Sequence, residues 1–285
     1  MKPHKTLQEL NLLDRFLFAE AMDNPANVRI LLEIILEKEI LLAAPPQTEK
    51  EKRLSPQLRC IRMDVLAQDK DNSLYDTEVQ QQNTLNLPHR SRFYQALIDS
   101  KLLGAGEVDF RKMSDVYLIL IAPFDLFGMG KYRYTFRMEC EESPGLDLKD
   151  GAVRIFLNTH GTNDDEVNPE LVELLKYIES STAETASRCT SERIQKLQER
   201  IQLIKSSEEV GLKYMQEWEE KIYEQREAEE RGEKRHFKKQ VYKKLSMNKP
   251  IEVIAAELDE SEDAIRDIIN WTDPESSASS TEHTD

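Results

Sequence analysis

The run Val116–Ala122, VYLILIA, carries no charge and no alternation of apolar with polar side chains. A strand of that kind has to be covered on both faces, the condition of an interior strand in a sheet flanked by helices. It is also the longest apolar run of the chain, far short of the roughly 18 residues a membrane span requires. No membrane partner is therefore expected.

The sequence around this run supplies the covering layers. Leu10, Leu13, Phe16, Leu17 and Ala21 recur at helical spacing, and Pro25 opens a second helix bearing Val28, Leu31, Leu32, Ile35 and Leu36. Ala43 to Arg53 reads as a loop by composition. Leu58–Ala67 and Ser73–Gln80 are strand-like and joined by the polar turn QDKDN, which predicts a hairpin. A helix follows over Asn83–Leu103, with Gly104 and Gly106 at its C-terminal end. KYRYTFRMEC and GAVRIFLNT supply further strands. The order predicts an α/β fold, or an α+β sandwich, in one domain over residues 1–160.

With 285 residues, 39% of them hydrophobic, the chain can form one full core and leave a remainder. That remainder is acidic. Of the net charge of -15, residues 1–149 contribute -3 and residues 150–285 contribute -12. The N-terminal part can thus still offer a local basic surface to phosphates. MKPHKTLQEL lacks the apolar segment of a secretory signal, and the three cysteines are scattered, so a cytoplasmic location is expected.

Residues 161–247 form a charged helical region. Ile194, Leu197, Ile201 and Ile204 follow a coiled-coil spacing for two heptads before Gly211 interrupts it. Residues 248–272 outline a small module of two helices, opened by Pro250 and capped at the second by Ser261. Glu262, Asp263 and Asp267 on that second helix would repel phosphates, so the module suits self-association or partner contact, and a homo-oligomer through the C-terminal helices is expected. The cluster Lys234, Arg235, Lys238, Lys239, Lys243 and Lys244 either contacts a phosphate backbone or balances Glu217–Glu233. Residues 273–285 are disordered by composition.

The candidate chemistry lies on the hairpin. Asp76, Glu78 and Gln80 share one parity of their strand, while Tyr75, Thr77 and Val79 take the packing parity. The opposed strand supplies Asp64, and residues opposed across a hairpin approach to roughly 5 Å at Cβ. Two carboxylates that close repel, so such a site holds a cation or shifts a pKa. No His or Cys spacing suits zinc. Asp64, Glu78, the main-chain carbonyl of Val79 and waters are the hard oxygen donors that suit Mg²⁺, with Mn²⁺ as a substitute. The five histidines form no spaced set, and no glycine-rich phosphate loop occurs.

Asp64 followed by Glu78-x-Gln80, in the order MDVLAQDKDNSLYDTEVQQQNTLNLPHRSRFYQALI, resembles the recombination-promoting nuclease and transposase family of the PD-(D/E)XK nuclease superfamily. LLDRFLFAE (Asp14, Phe16), the R-x-x-x-Y of Arg90 and Tyr94, and LILIAPFDLF extend the resemblance over residues 10 to 140. It implies a restriction-endonuclease-like mixed sheet flanked by helices, here with an all-α C-terminal extension. It also implies a Mg²⁺-dependent DNA endonuclease linked to recombination or transposition. Asp64 and Glu78 become metal ligands, and Gln80 stands where the superfamily carries a lysine. The alternative is a catalytically inactive nuclease-fold protein serving as a DNA-binding or protein-assembly module. The superfamily's first core strand is expected near Glu39–Ala44 or over Leu54–Arg59.

Arg90 and Tyr94 share a helical face. Arg90 is placed either to contact phosphate or to pair with a carboxylate such as Glu78, and Tyr94 to pack with its hydroxyl toward the site. Asp14 is either a third carboxylate of the site or the N-cap of the helix beginning at Arg15.

Overall fold

Six strands, β1 (Gln47–Lys52), β2 (Ile61–Gln68), β3 (Leu74–Val79), β4 (Val116–Ala122), β5 (Arg133–Phe136) and β6 (Ala152–Asn158), lie in one mixed sheet in the order β1-β2-β3-β4-β6-β5. The computed structural model describes residues 5–52, 61–104 and 106–273. β4 runs parallel to both its neighbours, β3 and β6, in the interior place that an unbroken apolar run demands. β1 and β5 are the edges, each paired antiparallel on its inner side.

β1 is where the sequence misled. The segment Ala43–Arg53 has a loop's composition, yet QTEKEK within it is the strand that pairs with β2. An edge strand is held by backbone hydrogen bonds on one side, and charged side chains along it block pairing with foreign strands, so no apolar alternation is needed. Near Glu39–Ala44 the structure has an isolated bridge, Leu42 with Asp69, and Leu54–Arg59 lies outside the described residues.

The predicted hairpin is present: β2 and β3 pair from Gln68–Leu74 to Val65–Thr77. β3 departs from the half-buried expectation, because Tyr75 through Val79 are buried on both parities. Helix α3 is the reason. It spans Arg90 and Tyr94, runs Leu87–Asp99, ends before the expected glycines, and connects β3 to the parallel β4. Its Tyr94, Leu97 and Ile98 pack with Met63, Leu66, Val116 and Leu118 into one cluster. Met63 and Leu66, three residues apart on β2, both reach this cluster.

The other helices form a packed group. α1 (Arg15–Met22) and α2 (Pro25–Leu36) contact each other and α6 (Glu192–Ser206), and α2 also packs on α4 (Pro169–Glu179), with α5 (Ala183–Arg188) beside α4 and α6. α1 touches β1 and β2. The spacing of Ile194, Leu197 and Ile201 is used here, since all three are buried in this unit. Asn27 is fully buried but satisfied: its amide donates to the Ala21 carbonyl at 2.7 Å and accepts from Arg200 at 2.9 Å.

The chain divides into compact units at Met1–Gly211 and Leu212–Asp285. The second contains most of α7 (Glu208–Leu245), with α8 (Ile251–Leu258) and α9 (Glu262–Asn270). Val241, Ile254, Ala255, Ile265 and Ile268 are its core. Several members of the basic cluster are engaged inside this unit. Arg235 pairs with Asp273, Lys238 donates to the carbonyls of Ile269 and Trp271, and Lys244 pairs with Glu257. No helix among the described residues is long and apolar enough to cross a membrane.

Candidate active site

The site lies where the β2–β3 ladder gives way to side chains. Extending the register beyond Val65–Thr77 would bring Asp64 opposite Glu78. There the carboxylates take over the backbone donors. The Asp64 N–H donates to Glu78 Oε1 at 2.9 Å, and the Val79 N–H donates to Asp64 Oδ2 at 3.1 Å. The Val79 carbonyl, on the same edge of the strand as its N–H, is turned toward β2 as well.

Both carboxylates are buried, at 3% exposure for Asp64 and 2% for Glu78. Burial pushes the Asp64 pKa up against the opposing pull of Arg15, the Val79 N–H and Arg90. For Glu78 burial drives the pKa well above the carboxylate range. The charges of Asp76 and Asp64 add to that shift, while the Asp64 N–H and Arg90 oppose it. Asp76, fully buried two residues before Glu78 on the same parity, is thus a third carboxylate of the site. The sequence placed Asp76 on the parity of Glu78 and Gln80 but gave it no role.

A guanidinium stands beside each of the two carboxylates. Arg15 Nε lies 2.7 Å from Asp64 Oδ1. Arg90 donates to Glu78 Oε2 at 3.1 Å and to Gln80 Oε1 at 2.8 Å, with its guanidinium 5.1 Å from the centre of the Tyr94 ring. Of the two placements open to Arg90, the structure has the carboxylate pair. The Gln80 amide also donates to the Gln82 carbonyl at 2.7 Å, so both of its ends are fixed and its oxygen is turned to Arg90. Tyr94 is buried, and burial pushes its hydroxyl up to about 12, with the Glu78 charge adding to the effect.

Asp14 caps α1, accepting the N–H groups of Phe16 at 3.0 Å and Leu17 at 3.5 Å. That geometry sets the start of the helix and with it Arg15. The Gln81 amide donates to the Leu13 carbonyl at 3.0 Å, tying the exit of β3 to the same segment. Arg15 escaped the sequence reading because its partner lies on a distant strand. Its only signal was its place next to a helix cap.

A model of the family described as PD-(D/E)XK nuclease family transposase matches residues 15–268. The chain belongs to that family. No curated protein and no solved structure matches it. Membership accounts for the mixed sheet with flanking helices and for the helical C-terminal region of this transposase-family chain.

Among the described residues no group of three or more His, Cys, Asp or Glu side chains has the arrangement of a metal cage. The pair of Asp64 and Glu78 still fits a hard divalent cation. The donors are all oxygen, both carboxylates are buried, and the Val79 carbonyl is turned the same way.

Proposed function

We propose that this transposase-family chain is a Mg²⁺-dependent DNA endonuclease, with Mn²⁺ able to substitute, acting in recombination or transposition. The observation that supports it most is the meeting of two buried carboxylates on adjacent strands, each facing a guanidinium. Asp64, Glu78 and the Val79 carbonyl would hold the cation. Such an ion lowers the pKa of a bound water and offsets charge developing on the scissile phosphate.

The chain's own residues do the rest. Asp64 and Glu78 are fixed by main-chain donors, so their oxygens do not have to be reordered when a phosphate arrives. Gln80 cannot bring a charge, because an amide only forms hydrogen bonds. Its oxygen instead aims Arg90, and Arg90 supplies beside the phosphate the positive charge that a lysine at position 80 would bring. Tyr94 backs the guanidinium with its ring face. Asp14 acts through the helix cap.

Purified protein incubated with plasmid DNA and Mg²⁺ tests this reading. Cutting is expected in the wild type and is expected to vanish in Asp64→Asn and Glu78→Gln. Cutting that persists in both variants would reject the assignment. Mg²⁺ binding and DNA binding without any cutting would support the idle DNA-binding or assembly module instead.

A further inference from the structure

We propose that Leu85 is a wedge that enters the minor groove of bound DNA and unstacks a base-pair step close to the scissile phosphate. This rests on the nuclease reading above and adds to it a residue that deforms the substrate.

The loop that follows β3 carries the argument. Residues 79–89 hold no Asp, Glu, Lys or Arg, in a chain of which those types make up 33%. A phosphate backbone can therefore approach without meeting a like charge from the loop. The base of the loop is closed at the site: Arg90 donates to Gln80 Oε1 at 2.8 Å, and Leu85 stands midway, five residues from each. The Arg90 N–H donates to the Asn86 carbonyl at 2.9 Å, one helical turn away, which puts the Leu85 Cα within about 10 Å of the Arg90 Cα. That reach is about three base-pair steps.

Leu85 is 82% exposed, and its backbone is left-handed, with φ 58°. That conformation crowds a Cβ against the following carbonyl, and a leucine left in water gains no burial to offset it. The other non-glycine residues with positive φ among those described, Glu37, Asn72, Lys149, Asn248 and Asp259, are all polar. The pose is fixed by the loop's own bonds. Asn83 Oδ1 accepts the Leu85 N–H at 2.9 Å, and the Thr84 hydroxyl donates to Asn86 Oδ1 at 2.6 Å. On one side the Gln81 amide is tied to the Leu13 carbonyl, and on the other Leu87 is fully buried among Leu120, Ala122, Tyr134 and Phe156. An apolar tip strained and held between two anchors, with no burial of its own, points to a contact outside the chain.

The side chains around Leu85 select the partner. Gln82, Asn83 and Asn86 are exposed, and each amide can both donate and accept. The minor groove presents acceptors on every base pair and a donor on G·C, and proteins that enter it combine Asn and Gln with an apolar side chain pushed between two base steps. Pyrimidine–purine steps such as TA yield most easily to such a wedge, whereas A-tracts resist it. Leu85 thus ties cleavage to deformable steps, and its distance from Arg90 sets which phosphate reaches the carboxylates.

The test needs neither cleavage nor metal. Full-length wild type, Leu85→Ala, Leu85→Asn and Leu85→Met are titrated in EDTA onto short duplexes carrying 2-aminopurine, whose fluorescence rises when it is unstacked, either at a TA step or inside an A-tract. The wild type and Leu85→Met are expected to raise the fluorescence at the TA step and not in the A-tract. Leu85→Ala and Leu85→Asn should lose the rise and bind about tenfold more weakly. The slope of log affinity against log salt should stay the same in all four, because an apolar contact releases no counterions. Leu85→Asn should melt no lower than wild type, since asparagine tolerates the left-handed backbone. A rise that persists in Leu85→Ala and Leu85→Asn overturns the proposal, as does a bound wild type that gives no rise. A lower melting temperature of Leu85→Asn would assign Leu85 to the fold, and loss of a dimer in that variant with DNA binding unchanged would assign it to a contact between copies; either overturns the proposal. If the wild type cuts with Mg²⁺ and any of these results is found, only the role of Leu85 falls. If the wild type neither binds nor cuts DNA, the nuclease reading falls and the wedge with it.

Discussion

Asp64 and Glu78 are joined through the main chain: the Asp64 N–H donates to Glu78 Oε1 at 2.9 Å, so one acid is oriented by the backbone of the other. Burial raises the pKa of both, and for Glu78 the charges of Asp76 and Asp64 add to it. A carboxyl whose folded pKa lies above its unfolded value stabilises the fold in acid and withdraws that contribution as pH rises through the folded pKa. Glu78→Gln should therefore unfold at a higher temperature than wild type at pH 7 to 8, by on the order of 1 kcal/mol or more of stability. The gain should shrink as pH falls toward 4. Thermal unfolding at a series of pH values checks this, and the same variant should be inactive.

Mg²⁺-dependent cleavage should carry the same signature. Both carboxylates must be ionised to hold a cation, and burial raises the pKa of both, that of Glu78 well above its ordinary value. The acid limb of a pH–rate profile at low Mg²⁺ should therefore lie above the ordinary carboxylate range, and raising Mg²⁺ should move it to lower pH.

Arg90 and Gln80 separate in effect. Arg90→Ala removes a charge beside the phosphate and should lower cleavage by about 10²- to 10³-fold. Gln80→Ala leaves the charge but loses its aim, so a loss of about tenfold is expected. Arg90→Lys should fall between them, because a lysine cannot reach Glu78 and Gln80 with one planar fork. Single-turnover rates measured at saturating DNA distinguish the three.

Asp14 acts through its cap. Asp14→Ala should cost about 1 kcal/mol of stability and leave Mn²⁺ affinity unchanged, whereas Asp14→Ser should restore the stability. A loss of Mn²⁺ affinity in both would make Asp14 a ligand instead.

The boundary of the folded nuclease unit is testable by truncation. α6 buries Ile194, Leu197 and Ile201, each worth about 1.5–3 kcal/mol on burial. A chain ended at residue 190 loses all three and should not fold, since whole domains are stable by only about 5–15 kcal/mol. A chain ended at Gly211 should fold and cut. Sedimentation of the two lengths, full and 1–211, also tests whether the C-terminal helices bring copies together.

What the sequence disclosed follows from periodicity. The unbroken run of β4 required covering on both faces, and the parity of β2 and β3 brought Asp64 to Glu78 before any coordinates. β1 was hidden because an edge strand made of charged residues has no apolar pattern to read. The burial of Asp76 was hidden because the cover comes from α3, which lies outside the strand's own pattern. Arg15 meets Asp64 through the packing of α1 on β2, a tertiary relationship that no local spacing encodes.

The most direct test is a crystal soaked in Mn²⁺ and measured for anomalous scattering. The account expects an ion held by Asp64 and Glu78, with the Val79 carbonyl in reach. No ion at Asp64 and Glu78 under Mn²⁺ concentrations that support cutting would contradict it.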